Sequence, residues 1–181
     1  MKKILMTLAA AFVAVSMSAQ VYVGGGLGFE SVSHDGDSQS SFTIMPEIGY
    51  TLEENTAVGI VLGYTSYTND DSRLYVAPYY RYGIAQFGKV NLFVDGTIYF
   101  NQFTEKNGNI AENKDLKTNS FGIGVKPGVS MDLNDKLTVA THLGFLGYDN
   151  EKTDATGAKA YNTFGFNFSS LNLGFSLYYN F

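Results

Sequence analysis

The sequence lacks cysteine and tryptophan altogether and has only 3 prolines in 181 residues. Without cysteine there can be no disulfide framework, no thiolate metal site and no cysteine nucleophile. Beyond the first residues no apolar run approaches the roughly 20 residues that a membrane-spanning helix needs. What the chain does have is 14 Phe, 13 Tyr and 20 Gly. Aromatic residues suit pleated surfaces and glycine interrupts helices, so this is the chemistry of strands and turns.

The N-terminus reads as a secretory signal peptide over residues 1–19. Lys2 and Lys3 precede an apolar run from Ile4 to Val15, and small residues lead to Ala19. Removing Lys2 and Lys3 leaves 10 basic against 17 acidic residues, a net charge of about -7 on the exported chain, 20–181. That balance argues against nucleic acid as a partner. The length suits one domain.

Alternation of apolar and polar residues organises the remainder. It is clearest at the end, "SSLNLGFSLYYNF", where Leu171, Leu173, Phe175, Leu177, Tyr179 and Phe181 alternate with small, polar or phenolic residues. A period of two places such a row on one face of a strand. Comparable segments lie near 20–33, 41–52, 57–64, 74–85, 90–101, 121–131 and 137–145, which predicts eight strands. In the last strand the parity breaks upstream, because Phe164, Phe166 and Phe168 are even-numbered. A bulge near Ser169 is one explanation and a separate loop element is another. Connections at 53–55, 87–89 and 134–136 are tight, whereas those at 34–40, 68–72, 104–118 and 149–162 are polar and mostly longer. Short turns on one rim, long loops on the other and both termini on the short side form the layout of an outer-membrane barrel.

Alternation alone also fits a soluble, secreted ligand-binding barrel whose apolar row points inward. The placement of charge separates the two. Within the expected strands only Glu30, Glu47, Arg81, Asp95 and Lys126 are charged, too few to solvate an outer wall. The non-apolar face is Gly, Ser, Thr, Asn and Tyr, which suits a narrow packed interior, so the apolar face is expected to look at lipid. A closed barrel then pairs every backbone polar group without an edge. Aromatic girdles are expected at Tyr50, Tyr82, Phe87 and Tyr179 on the short-turn side, and at Phe29, Phe42, Tyr64, Phe100, Phe121 and Phe145 toward the loops.

In these features the chain resembles the small eight-stranded outer-membrane barrels of the OmpA/OmpX type. The resemblance implies an all-β, antiparallel, up-and-down transmembrane barrel with both termini in the periplasm of a Gram-negative envelope. It also implies that the final row, Phe175, Leu177, Tyr179 and Phe181, is an assembly signal read by barrel-insertion machinery.

Glu47, Arg81, Asp95 and Lys126 fall on the inner wall and sum to zero charge. Ions in a narrow interior must be paired, so these residues are expected to form a salt-bridge network that plugs the lumen. A gating or conducting role for them is the alternative, and with it a narrow, porin-like passage for small solutes. Catalysis is not expected. His34 falls in a loop, and His142 lies on an inward face without a Ser or acid partner at motif spacing. "HDGDS" at His34–Ser38 and the pair Asp70, Asp71 lack the spacing of a calcium loop. Gly24, Gly25, Gly26 and Gly28 sit inside a strand with no helix following, which excludes a dinucleotide loop. They are better read as relieving crowding in a tightly curved wall. No cofactor is expected. The partner classes are outer-membrane lipids, the assembly machinery and an extracellular ligand at loops 104–118 and 149–162. The expected role is structural or surface-interacting.

Overall fold

In the computed structural model, residues 20–34, 37–109, 114–155, 157–167 and 174–181 are described. The expected leader, residues 1–19, and the break near Ser169 lie outside them. Strands β1 (Val21–His34), β2 (Asp37–Glu53), β3 (Thr56–Tyr67), β4 (Ser72–Phe87), β5 (Val90–Asn109) and β6 (Lys114–Asn134) are long antiparallel staves. The seventh stave is split into β7 (Leu137–His142) and β8 (Phe145–Thr153), and the eighth into β9 (Tyr161–Asn167) and β10 (Phe175–Asn180). Each stave pairs with its sequence neighbours, and β10 pairs back onto β1, closing an eight-stranded barrel.

The connections on one rim are tight because local chemistry shapes them. Phe87 pairs with Val90 across a turn in which Gly88 adopts φ 63°, a conformation open to glycine at little cost. Asn134 pairs with Leu137, and its side-chain oxygen accepts hydrogen bonds from the backbone N–H groups of Lys136 and Leu137 at 2.9 and 3.0 Å. The same rim fastens both ends of the barrel: Phe181 N–H donates to Val21 O at 3.1 Å and Asn180 N–H to Lys136 O at 2.8 Å.

On the other rim the strands run further than their sequence suggests. Much of the stretch 104–118, expected as loop, belongs to β5 and β6, which pair from Asn109–Lys114 downward. Residues 149–153 likewise belong to β8. These extensions are polar on both faces, so alternation gave no sign of them, yet the backbone ladder needs no apolar row. Thr118 and Thr153 hydroxyls bond across it at 2.9 Å, and Lys106 pairs with Asp115 at 2.8 Å. That carboxylate holds the Lys106 ammonium above its usual pKa, through a hydrogen bond and its charge.

Thirty large apolar or aromatic side chains are exposed among the described residues. They form the outward rows, for example Leu27 at 73%, Phe29 at 75%, Ile123 at 51% and Leu177 at 51%. The buried set instead includes Tyr22, Tyr79, Phe93, Tyr178, Glu47 and Asp95, all on the inner wall. The barrel is therefore apolar outside and polar-aromatic within.

Phe145 departs from the expected girdle. Its ring points inward and lies 5.7 Å from Tyr99. The cause is a one-residue slip: β6 pairs with β7 up to Gly128–His142 and resumes with β8 at Val125–Leu146, so the seventh stave carries one extra residue. Such a bulge exchanges the two faces. Beyond it Leu146 and Tyr148 face outward in place of the odd-numbered row. The eighth stave follows its neighbour, with Phe164 and Phe166 outward in β9 and Phe175, Leu177 and Tyr179 outward in β10.

Candidate functional site

The centre of the barrel holds a compact polar network. Arg81 on β4 stands directly opposite Asp95 on β5. Arg81 Nε–H donates to Asp95 Oδ1 and Nη2–H to Oδ2, both at 2.8 Å. Such a two-pronged, charge-assisted pairing is stronger than a neutral hydrogen bond and fixes the geometry of both partners. His142 Nε2 reaches the same Oδ2 at 2.8 Å. Glu47 on β2 accepts hydrogen bonds from the Tyr79 hydroxyl at 2.5 Å and the Tyr178 hydroxyl at 2.9 Å, with Arg81 Nη2 at 3.7 Å. Tyr22 and Tyr79 share a hydroxyl–hydroxyl bond of 2.6 Å. The guanidinium also lies 4.1 Å from the Phe93 ring centre, a cation–π contact within a desolvated site.

Glycine rows make these contacts possible. Tyr22 on β1 pairs with Gly49 on β2, Gly49 with Gly59 on β3, and Gly59 with Tyr79 on β4. The two phenols thus lean toward each other over two bare backbones and meet. A Cβ on Gly49 would fall 2.1 Å from the Tyr22 ring. The same device recurs with one spacer. Gly24 stands between Glu47 and Tyr178, Gly128 between Phe93 and His142, and Gly122 between Tyr99 and Asp149. The strand glycines therefore serve chiefly as floor space for inward aromatic rings.

The structure brings Glu47, Arg81 and Asp95 together and leaves Lys126 out. Lys126 is opposite Asp95 in the ladder, but its ammonium donates instead to the Tyr75 hydroxyl at 2.9 Å and lies over the Tyr75 and Tyr99 rings at 5.5 and 5.9 Å. Asp95 has both oxygens engaged by Arg81 and His142, which accounts for the difference. His142, which has no acid partner at motif spacing in the sequence, is the network's second cation-capable group. Sequence spacing could not show this, because the contact spans two strand boundaries. The row Phe93–Gly128–His142 was the available signal.

Two cavities flank this network. On the short-turn side a cavity of about 790 Å³ is roofed by Tyr22, Arg81, Phe93 and Tyr178. On the loop side a cavity of about 680 Å³ is floored by Glu47 and His142 and lined by Arg73, Tyr75, Tyr99 and Lys126. Arg73 lies within β4, one residue before the expected start of that strand. Asp70 occupies a turn at φ 65°, and Asp71 accepts hydrogen bonds from Lys106 N–H at 2.8 Å and from the Asn69 amide. Among the described residues no cluster of three or more metal-ligating side chains occurs. The final row stands at the closing seam. Phe175, Leu177, Tyr179 and Phe181 face outward, and the Tyr179 and Phe181 rings meet edge to face at 4.9 Å.

A family described as "Putative MetA-pathway of phenol degradation" matches residues 7–164. The chain belongs to this family. Among solved structures, the crystal structure of Neisserial surface protein A (NspA) superposes with a TM-score of 0.52 at 17% identity, covering 91% of this chain and 98% of that one. At that identity the likeness speaks to the fold, which in this family member is an eight-stranded barrel of the OmpA/OmpX type. A comparison with curated proteins finds no match.

Proposed function

We propose that this family member is an integral outer-membrane barrel that contributes structure and surface contacts to the cell envelope and whose lumen is closed to solutes. One observation carries the reading: the plug joins Glu47 on β2, Arg81 on β4, Asp95 on β5, His142 on β7 and Tyr178 on β10, and separates the two cavities. The exposed apolar rows support a lipid environment. In water each fully exposed Leu or Phe would forgo about 1.5–3 kcal/mol of burial, and contiguous apolar surface of this extent drives aggregation. The short turns and both termini then face the periplasm, and the polar extensions of β5, β6 and β8 stand outside the membrane, where they can meet an extracellular ligand. The seam row ending at Phe181 is the segment offered to the assembly machinery. The Asp95–His142 pair is assigned a structural role, because Arg81 holds both oxygens of the acid.

Planar-bilayer recording of the refolded protein tests the closed lumen. Silence at physiological salt is expected. Reproducible unitary conductance from the native protein would overturn the reading in favour of a narrow solute passage. Sedimentation with membranes after carbonate washing tests the location, and release into the wash would favour a soluble secreted barrel.

A further inference from the structure

The loop-side cavity has a feature that a structural plug does not require. Two cations, Lys126 and Arg73, line it, and among the described residues neither forms an ion pair with a carboxylate. The nearby acids are occupied: Glu47 by Tyr79, Tyr178 and Arg81, and Asp95 by Arg81 and His142. Across the wall Glu151 accepts from Ser120 at 3.3 Å and Asp149 interacts with the Tyr99 hydroxyl, and neither acid lines the cavity. The Lys126 ammonium has three donors, of which the Tyr75 hydroxyl takes one. Holding it half-buried with so little compensation costs free energy, which an anion in the cavity would recover.

The walls narrow the choice of anion. Tyr75, Tyr99, Phe145 and Met45 supply apolar and aromatic surface, and about 680 Å³ is a small-molecule volume. Glu47 at the floor repels a multiply charged ligand. We propose that this cavity binds a monocarboxylate with a compact apolar body, its head between Lys126 and Arg73 and its body against Tyr75, Tyr99 and Phe145. The proposal goes beyond the envelope role and does not depend on whether the lumen conducts.

Calorimetric titration of the full barrel in zwitterionic-lipid nanodiscs tests it, with benzoate and decanoate as probes and benzamide as the uncharged match to benzoate. Saturable one-to-one binding of at least one acid is expected. Benzoate alone would indicate soluble aromatic acids, and decanoate alone lipid-derived acids. Arg73→Gln/Lys126→Gln should weaken binding at least tenfold while keeping heat-modifiable migration, and Lys106→Gln on the outer extension should leave it unchanged. Should the double variant fail to fold, the native protein still decides the matter through benzamide where benzoate binds, and through decanamide where only decanoate does. Equal affinity for acid and amide, unaltered affinity in the folded double variant, or no binding of either acid would each overturn the proposal.

Discussion

Replacing Arg81 with Met isolates what holds the central network together. The substitution keeps much of the aliphatic stem but deletes the guanidinium. Asp95, with a side chain only 4% exposed, then loses both 2.8 Å bonds of the fork and retains His142 alone. Glu47, also 4% exposed, keeps its two tyrosine donors and loses a cation at 3.7 Å. Stranding one partner of a buried pair costs about 3–5 kcal/mol, and the lost contact with Phe93 adds about 0.5–2 kcal/mol. The loss should therefore sit near the upper end of the single-substitution range. Asp95→Leu strands the guanidinium in the same way. Replacing both partners leaves an apolar pair of similar bulk, and buried ion pairs treated so are often neutral or stabilised. Urea unfolding of the barrel in lipid bilayers, followed by tyrosine fluorescence and the heat-modifiable band, gives each free energy from its midpoint and slope. Asp95→Leu should be about 3–5 kcal/mol less stable than the native protein, Arg81→Met about 0.5–2 kcal/mol less stable again, and the double variant more stable than either. A double variant whose loss equals the sum of the singles would show that the two residues act independently and would refute the argument.

Tyr178→Phe removes a buried donor to Glu47 Oε2 and should lower stability by about 1–3 kcal/mol; an unchanged urea midpoint would contradict the assigned bond. Gly49→Ala should cost about 1–3 kcal/mol through overpacking against Tyr22, whereas Gly165→Ala, with nothing within 4 Å of the new methyl, should shift the midpoint little. The glycine-row argument fails if the two behave alike. Phe181→Ser should reduce assembly into membranes in cells while leaving the thermal stability of the assembled fraction near native, as read by pulse-chase and heat-modifiability. Equal assembly rates would remove the terminal row from the role proposed for it.

Much of the architecture was legible in the sequence because a barrel wall is a two-state code. Outward rows such as Leu74, Val76 and Pro78 alternate with inward Tyr75, Ala77 and Tyr79, and that parity fixed strand number and facing over most of the chain. The code failed where it does not apply. Polar extensions such as 104–109 carry no apolar parity, and their pairing follows the backbone ladder. The bulge at Leu143–Gly144 inverts parity between the two stretches that pair with β6, so simple alternation places Phe145 on the wrong face. A sign of it was present in Leu146 and Tyr148, two large residues on even numbers, matched by Phe164 and Phe166 in the adjoining stave.

The central network shows why charged residues alone misdirect. Four charges on one wall suggested a network, yet neighbours along the ladder need not bond: Lys126 and Asp95 face each other, and their side chains part. What decides contact is the room beside each chain. A tyrosine on one strand reaches a carboxylate two strands away only when the strand between offers bare backbone, as Gly24 does for Tyr178 and Glu47. Lys126 faces an Asp95 whose oxygens Arg81 and His142 already hold, and its ammonium turns up the wall to Tyr75 and Tyr99. The glycine pattern therefore carries as much information about the interior as the charges do. Gly49 and Gly59 together with Tyr22 and Tyr79 mark the centre of the network once strand register is known. Register in turn follows from the tight turns, so the chain of inference runs from Gly88 and Asn134 at the rim to the ions at the centre.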